Sequence, residues 1–177
     1  MELRTERLLL RLPRPEDADA VAGYLGDPEV MRFLGGETVP RHDVPAVVRR
    51  WIDAWDRDGV GKFIVEHDGV VVGRVGINVW SADGWAISSF AEAGADARPE
   101  LGWTLAREHW GNGYATEAAT AVRAWVRAER AWDGLISLIV PGNTRSERVA
   151  RLLGAEPAET VTMRATGDRM VVWVHPR

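Results

Sequence analysis

Cysteine is missing from this 177-residue chain. Disulfides, thiolate metal sites and a cysteine nucleophile are therefore excluded. Histidine is scarce: His42, His67, His109 and His175 show no ligand spacing such as HxxxH, which argues against a metal site. No uninterrupted apolar run approaches the roughly 20 residues that a membrane helix needs. The opening "MELRTERLLLRL" carries charges through its apolar stretch and does not read as a signal peptide. The chain also lacks the basic balance of a typical nucleic-acid protein, its net charge being −4. The expectation is a cytoplasmic protein with no metal, no membrane partner and no nucleic-acid partner.

What is present is an ordinary globular composition, 46% apolar and 27% charged, so whole-chain disorder is set aside. The length suits one domain spanning 1–177. A short strand is expected at 7–12, stopped by Pro13, and Pro15 opens a helix with Ala18, Val21, Ala22 and Leu25 on one face. A second helix is expected over 43–58, with Asp43 as its N-terminal cap and Gly59 after its end. His67-Asp68-Gly69 between two apolar runs predicts a hairpin. Residues 81–98 lack periodicity and read as a loop or a weak extra strand. A strand follows at 99–105, a helix to about 130, a strand at 135–140 and a helix over 143–154 capped by Asn143. Strands near 159–165 and 169–175 close an α+β order with a long antiparallel part.

The stretch "HWGNGYATEAATAV", 109–122, puts two glycines at the mouth of a helix. Glycines let the backbone approach a ligand closely, and a helix start offers free N–H groups and a partial positive charge. Together they suit a phosphate. A Walker A loop would need lysine after its second glycine, and a dinucleotide fingerprint would need a third glycine where Thr116 stands. Spacing alone leaves a simple helix-capping loop equally open.

The chain resembles the GCN5-related N-acetyltransferase (GNAT) superfamily, and within it the branch that acetylates ribosomal protein N-termini. The likeness rests on "TERLLLR" and "DPEV" near the start, "ELGWTL", "WGNGYATEA" and "NTRSERVARLLGAE", in that order. It implies a twisted, mostly antiparallel mixed sheet with helices on both faces. Two central parallel strands, 99–105 and 135–140, would splay around acetyl-CoA. The resemblance places the backbone of Trp103, Thr104 and Leu105 along the pantetheine. It places the turn Trp110, Gly111, Asn112, Gly113, Tyr114, Ala115 and Thr116 at the pyrophosphate, and Asn143 near the pantetheine. Tyr114 reads chiefly as a packing residue behind that turn, Trp110 as one against the neighbouring sheet or helix, and His109 as a surface residue.

Acetyl transfer to an amine needs a neutral nucleophile, a polarised carbonyl and a proton for the leaving thiolate. Glu100, just before Leu101-Gly102, is the candidate base, directly or through water. An ordinary strand-face role, or an ion pair with Arg98 or Arg107, is its alternative. Ser146 is the candidate acid, because Ala150 stands where many superfamily members carry a tyrosine. Its alternative is a first-turn residue beside the Asn143 cap. Replacing Ala150 by tyrosine is expected to restore a donor if the ring fits. Trp80, Trp85 and Trp103 with Phe90 are candidates to line an acceptor cleft. The implied reaction moves acetyl from acetyl-CoA to a primary amine by direct attack in a ternary complex. The acceptor would be a protein N-terminus or a small amine, and a homodimer is left open. The alternative is a non-catalytic acyl-CoA-binding or regulatory module.

Overall fold

A computed structural model describes residues 1–130, 132 and 134–177. In chain order the elements are β1 (Glu2–Arg4), β2 (Leu9–Arg11), α1 (Ala18–Leu25), α2 (Pro28–Met31), α3 (Val44–Asp58), β3 (Lys62–His67), β4 (Val70–Ser81), β5 (Ala86–Ser88), α4 (Phe90–Ala93), β6 (Ala97–Leu105), α5 (Tyr114–Arg130), β7 (Ile136–Ile139), α6 (Thr144–Leu152), β8 (Glu156–Thr162) and β9 (Arg169–Val174). They fall into two compact units, Met1–Gly76 with Trp103–Val122, and Ile77–Gly102 with Arg123–Arg177. β4, β6 and α5 contribute residues to both.

In the first unit β1, β2, β3 and β4 pair antiparallel in sequence. The expected hairpin forms: His67 pairs with Val70, and Asp68 and Gly69 take φ of 50° and 78°, the left-handed values of a two-residue turn. The expected strand at 7–12 narrows to β2, and β1 precedes it. The chain turns between them at Thr5, whose N–H donates to the Leu8 carbonyl at 3.0 Å. α1 and α3 bury Val21, Leu25, Val44 and Val48 against Ile64 of β3, with Trp51, Ile52 and Trp110 packed at the margin. α3 ends as expected at Gly59, with φ 65°. Its start differs: Asp43 makes no side-chain cap, because a 3-10 turn over Arg41–Asp43 leads into the helix with Asp43 already in helical conformation. Arg11 grips Asp17 through two bonds, of 2.9 and 2.5 Å, and Glu66 at 2.7 Å, tying β2 to the entry of α1 and to β3.

In the second unit β5 pairs with the end of β4, and β7, β9 and β8 follow one another antiparallel. The irregular 81–98 segment therefore holds the extra strand β5 and also the short helix α4, which sequence periodicity did not show. β8 begins three residues earlier than expected and stops before Met163. β6 and β7 form the one parallel pair described, and its register is confined to Glu100 opposite Ile136. The sheet is thus mixed and mostly antiparallel, as expected of the α+β class. A short parallel contact of this kind leaves neighbouring backbone groups to find other partners. The Leu101 carbonyl finds the Ser137 hydroxyl, at 2.6 Å, and Ser137 Oγ lies 2.9 Å from His175 Nε2.

Candidate active site

The glycine turn belongs to the first unit. Gly111 and Gly113 both sit at φ 81°, a conformation that other residues rarely hold. Residues 111–113 are exposed. The Glu117 N–H bonds the Gly113 carbonyl at 3.1 Å and opens the α5 ladder, so the N–H groups of Tyr114, Ala115 and Thr116 stand in its unpaired first turn. The Asn112 side chain stays inside the turn, its Nδ2 donating to the His109 and Trp110 carbonyls at 3.2 and 3.3 Å. A Cβ at Gly111 would meet open space, whereas one at Gly113 would face Arg7 Nη2 at 3.5 Å. These exposed glycines before an unpaired helix turn fit the diphosphate of a coenzyme A group.

Tyr114 and Trp110 do pack. Tyr114 is buried, its ring 4.8 Å from His67 and 4.8 Å from the Arg7 guanidinium. Trp110 donates its indole N–H to the Leu105 carbonyl at 2.9 Å. That bond alters the expectation for β6. Ala106 N–H donates to the Val72 carbonyl at 2.9 Å, so the backbone groups of residues 104 and 106 face β4, and those of Trp103 and Leu105 face the other edge. Thr104 is therefore corrected: its carbonyl abuts Gly73 on β4, where a Cβ would collide with it. The groups left for a strand-like ligand are Trp103 N–H and C=O and Leu105 N–H.

Glu100, Asn143 and Ser146 belong to the second unit. Glu100 is buried on β6, and its Oε2 accepts from Asn78 Nδ2 at 2.9 Å and Trp80 Nε1 at 3.4 Å. Asn78 and Trp80 are alternate residues of β4, so they share a face. Arg98 is turned to the Ala95 and Ala97 carbonyls instead. Asn143 caps α6, accepting from the Ser146 N–H at 3.2 Å. The Ser146 side chain is part-exposed in that first turn. Ala150 is fully buried, so a tyrosine there would overpack the core rather than supply a donor. Trp85 packs against Ile136, Val161 and Val172, and Phe90 lies 4.9 Å from Trp132, so these two rings serve packing. Among the described residues no cluster of three or more His, Asp or Glu side chains is placed to hold a metal ion. No helix among them is long and apolar enough to cross a membrane.

The family described as "Acetyltransferase (GNAT) domain" matches residues 7–156. The chain belongs to the GNAT acetyltransferase family. It is 32% identical over 167 residues to the uncharacterized protein YkkB of Bacillus subtilis, covering 90% of this chain and 88% of that one. It is 28% identical to the uncharacterized N-acetyltransferase p20 of Bacillus licheniformis, covering 85% and 80%. An acetyltransferase structure from Agrobacterium tumefaciens superposes with TM-score 0.80 at 26% identity, covering 100% of this GNAT chain and 95% of that one. The aminoglycoside acetyltransferase AAC(6')-Ib, solved with coenzyme A, shares the fold with TM-score 0.77 at 21% identity, covering 96% and 95%. Sequence reasoning missed Asn78 as a partner of Glu100 and Arg7 as a partner of the turn. The alternating polar residue in "GINVW" was the available signal for the first, and the arginine of "TERLLLR" for the second.

Proposed function

We propose that this GNAT chain acts as one domain that transfers the acetyl group of acetyl-CoA to a primary amine, by direct attack in a ternary complex. The observation that carries the reading is the Gly111–Gly113 turn, held at positive φ before the unpaired first turn of α5. Bound there, acetyl-CoA supplies a thioester carbonyl and a thiol leaving group. The N–H groups of residues 111–116 hold the diphosphate, and Trp103 and Leu105 offer backbone bonds to the pantetheine. Asn143 fixes the start of α6, and with it Ser146.

Glu100 is the proposed base. Asn78 and Trp80 hold its carboxylate in one place, which suits a group that must receive an ammonium proton on each turnover. The neutral amine adds to the thioester carbonyl, the C–N bond forming and the C–S bond breaking as the carbonyl re-forms, and the nitrogen's second proton passes to the departing thiolate through the Ser146 hydroxyl. Ser146 donates a hydrogen bond or a proton to the departing sulfur. The acceptor proposed from the branch resemblance is a protein N-terminal amine. The fold also supports small amines, as AAC(6')-Ib solved with ribostamycin and coenzyme A illustrates for that protein. The site of action proposed is the cytoplasm. A turnover screen with acetyl-CoA across N-terminal peptides and small amines, read by free thiol, tests the reading. Amine-dependent thiol release is expected. Binding of acetyl-CoA without turnover on any amine would leave a non-catalytic binding module.

A further inference from the structure

The acetyl-CoA reading leaves one polar cluster of the first unit unused. Thr5 and Arg7, from the turn between β1 and β2, converge on Glu117 in the first turn of α5. Glu117 Oε1 accepts from the Thr5 hydroxyl at 2.6 Å and from the Arg7 N–H at 3.0 Å. Its Oε2 accepts from Arg7 Nε at 2.8 Å and lies 2.6 Å from Arg7 Nη2. Thr5 and Arg7 thus converge on a carboxylate 112 and 110 positions away.

The third guanidinium nitrogen reaches the glycine turn. Arg7 Nη1 donates to the Asn112 carbonyl at 3.0 Å. Across a trans peptide the carbonyl and the following N–H point in opposite directions. Holding the Asn112 carbonyl at Arg7 therefore turns the Gly113 N–H away from Arg7. Gly113 on its far side gives that peptide freedom to flip, so something must choose its orientation. The Arg7 guanidinium also stacks over Tyr114 at 4.8 Å, the residue that begins α5.

Charge makes the placement of Glu117 informative. A carboxylate in the first turn of a helix competes with a bound anion for the same positive end. A turn that only attracts phosphate gains nothing from it. A turn that must be held in one shape gains a fixed anchor for Arg7, whose Nε, Nη1 and Nη2 are all engaged.

We propose that Arg7 and Glu117 are positioning residues for the diphosphate seat: they lock the Asn112–Gly113 peptide with its N–H turned toward the ligand, and touch no ligand themselves. The inference rests on the acetyl-CoA reading above. Calorimetry with coenzyme A is run on wild type, Arg7→Met, Arg7→Lys and Glu117→Gln, beside kcat and KM for acetyl-CoA and for acetyl-pantetheine, which lacks the diphosphate. Arg7→Met and Glu117→Gln are each expected to weaken coenzyme A by about 10- to 100-fold, the worth of a charge-assisted bond. The preference for acetyl-CoA over acetyl-pantetheine in kcat/KM should fall by a similar factor, mainly through KM. Arg7→Lys keeps the charge but not the planar fork, and should stay weak.

A purely electrostatic role predicts the opposite sign for Glu117→Gln, tighter binding on loss of a negative charge, and recovery in Arg7→Lys. Either result overturns the proposal. Equal losses with both acyl donors overturn it too, by showing a general structural effect. Should Arg7→Met fail to fold, the sign of the Glu117→Gln effect still decides. Failure of wild type to bind coenzyme A would refute the acetyl-CoA reading itself, whereas normal wild-type binding with unchanged variants refutes the positioning role alone.

Discussion

Acidification should weaken this fold through one histidine. His175 is 3% exposed in the second unit, just beyond the end of β9. Its Nε2 lies 2.9 Å from Ser137 Oγ, and the Ser137 hydroxyl donates to the Leu101 carbonyl. A serine donates one proton, so the imidazole must donate to Ser137 from Nε2 and keep Nδ1 bare. Among the described residues the buried Nδ1 has no hydrogen-bond partner. Burial above all, then the charges of Arg123 and Arg127, push the His175 pKa down from 6.5 to about 4. Between those values the unfolded chain binds a proton at His175 that the folded chain does not. Stability is therefore full above pH 6.5 and lost progressively as pH falls toward 4. At about 1.4 kcal/mol per pH unit, the loss over that window is about 3 kcal/mol. His175→Gln removes the titration while its amide N–H can still reach Ser137. Urea unfolding followed by tryptophan fluorescence, at pH values from 7 to about 4, gives the comparison. The wild-type stability should fall by about 3 kcal/mol more than the variant's across the window. Parallel curves for the two proteins would show that His175 does not carry the acid loss.

Three further outcomes concern the proposed site. Gly113→Val should lower acetyl-CoA affinity with the fold retained, because valine resists φ of 81° and its branched side chain would stand on the exposed face of the turn that the diphosphate would approach; unchanged affinity by calorimetry in a folded variant would remove the seat from 113. Glu100→Gln should lower kcat by about 10²- to 10⁴-fold with little change in acetyl-CoA affinity, and shift the alkaline rise of the rate; a loss under about threefold would assign Glu100 to positioning. Ser146→Ala should lower kcat by about 10- to 100-fold if the hydroxyl assists the departing sulfur. A normal kcat would take Ser146 out of the mechanism, and a matching loss of affinity would make it a binding residue.

Local chemistry was readable wherever one residue type had one use. Asp68-Gly69 announced its hairpin, Gly59 its helix end and Asn143 its cap, because each meets a backbone demand that few residues satisfy. The Gly111–Gly113 turn was readable for the same reason. Contacts between distant residues were not. The polar Asn78 in "GINVW" and the arginine of "TERLLLR" were visible as single residues, but not their pairing, Asn78 and Trp80 with Glu100 and Arg7 with Glu117 and Asn112. The three-residue β1 was too short for alternation to show, and β5 was expected only as a weak extra strand somewhere in 81–98. Asp43 misled because a 3-10 turn moved it into helical conformation before the helix began. The exchange of β6 backbone groups between its two edges is a property of register, so the expectation for Thr104 could be corrected only once Ala106 was seen bonded to Val72.

The proposed activity is tested most directly by incubating the wild-type protein with acetyl-CoA and an amine mixture, then counting free thiol against acetylated amine by mass spectrometry. One thiol should be released per amine acetylated, with negligible release when amines are left out. Release that ignores the amine, or stoichiometric acetyl-CoA binding with no acetylated product, would contradict the proposed activity.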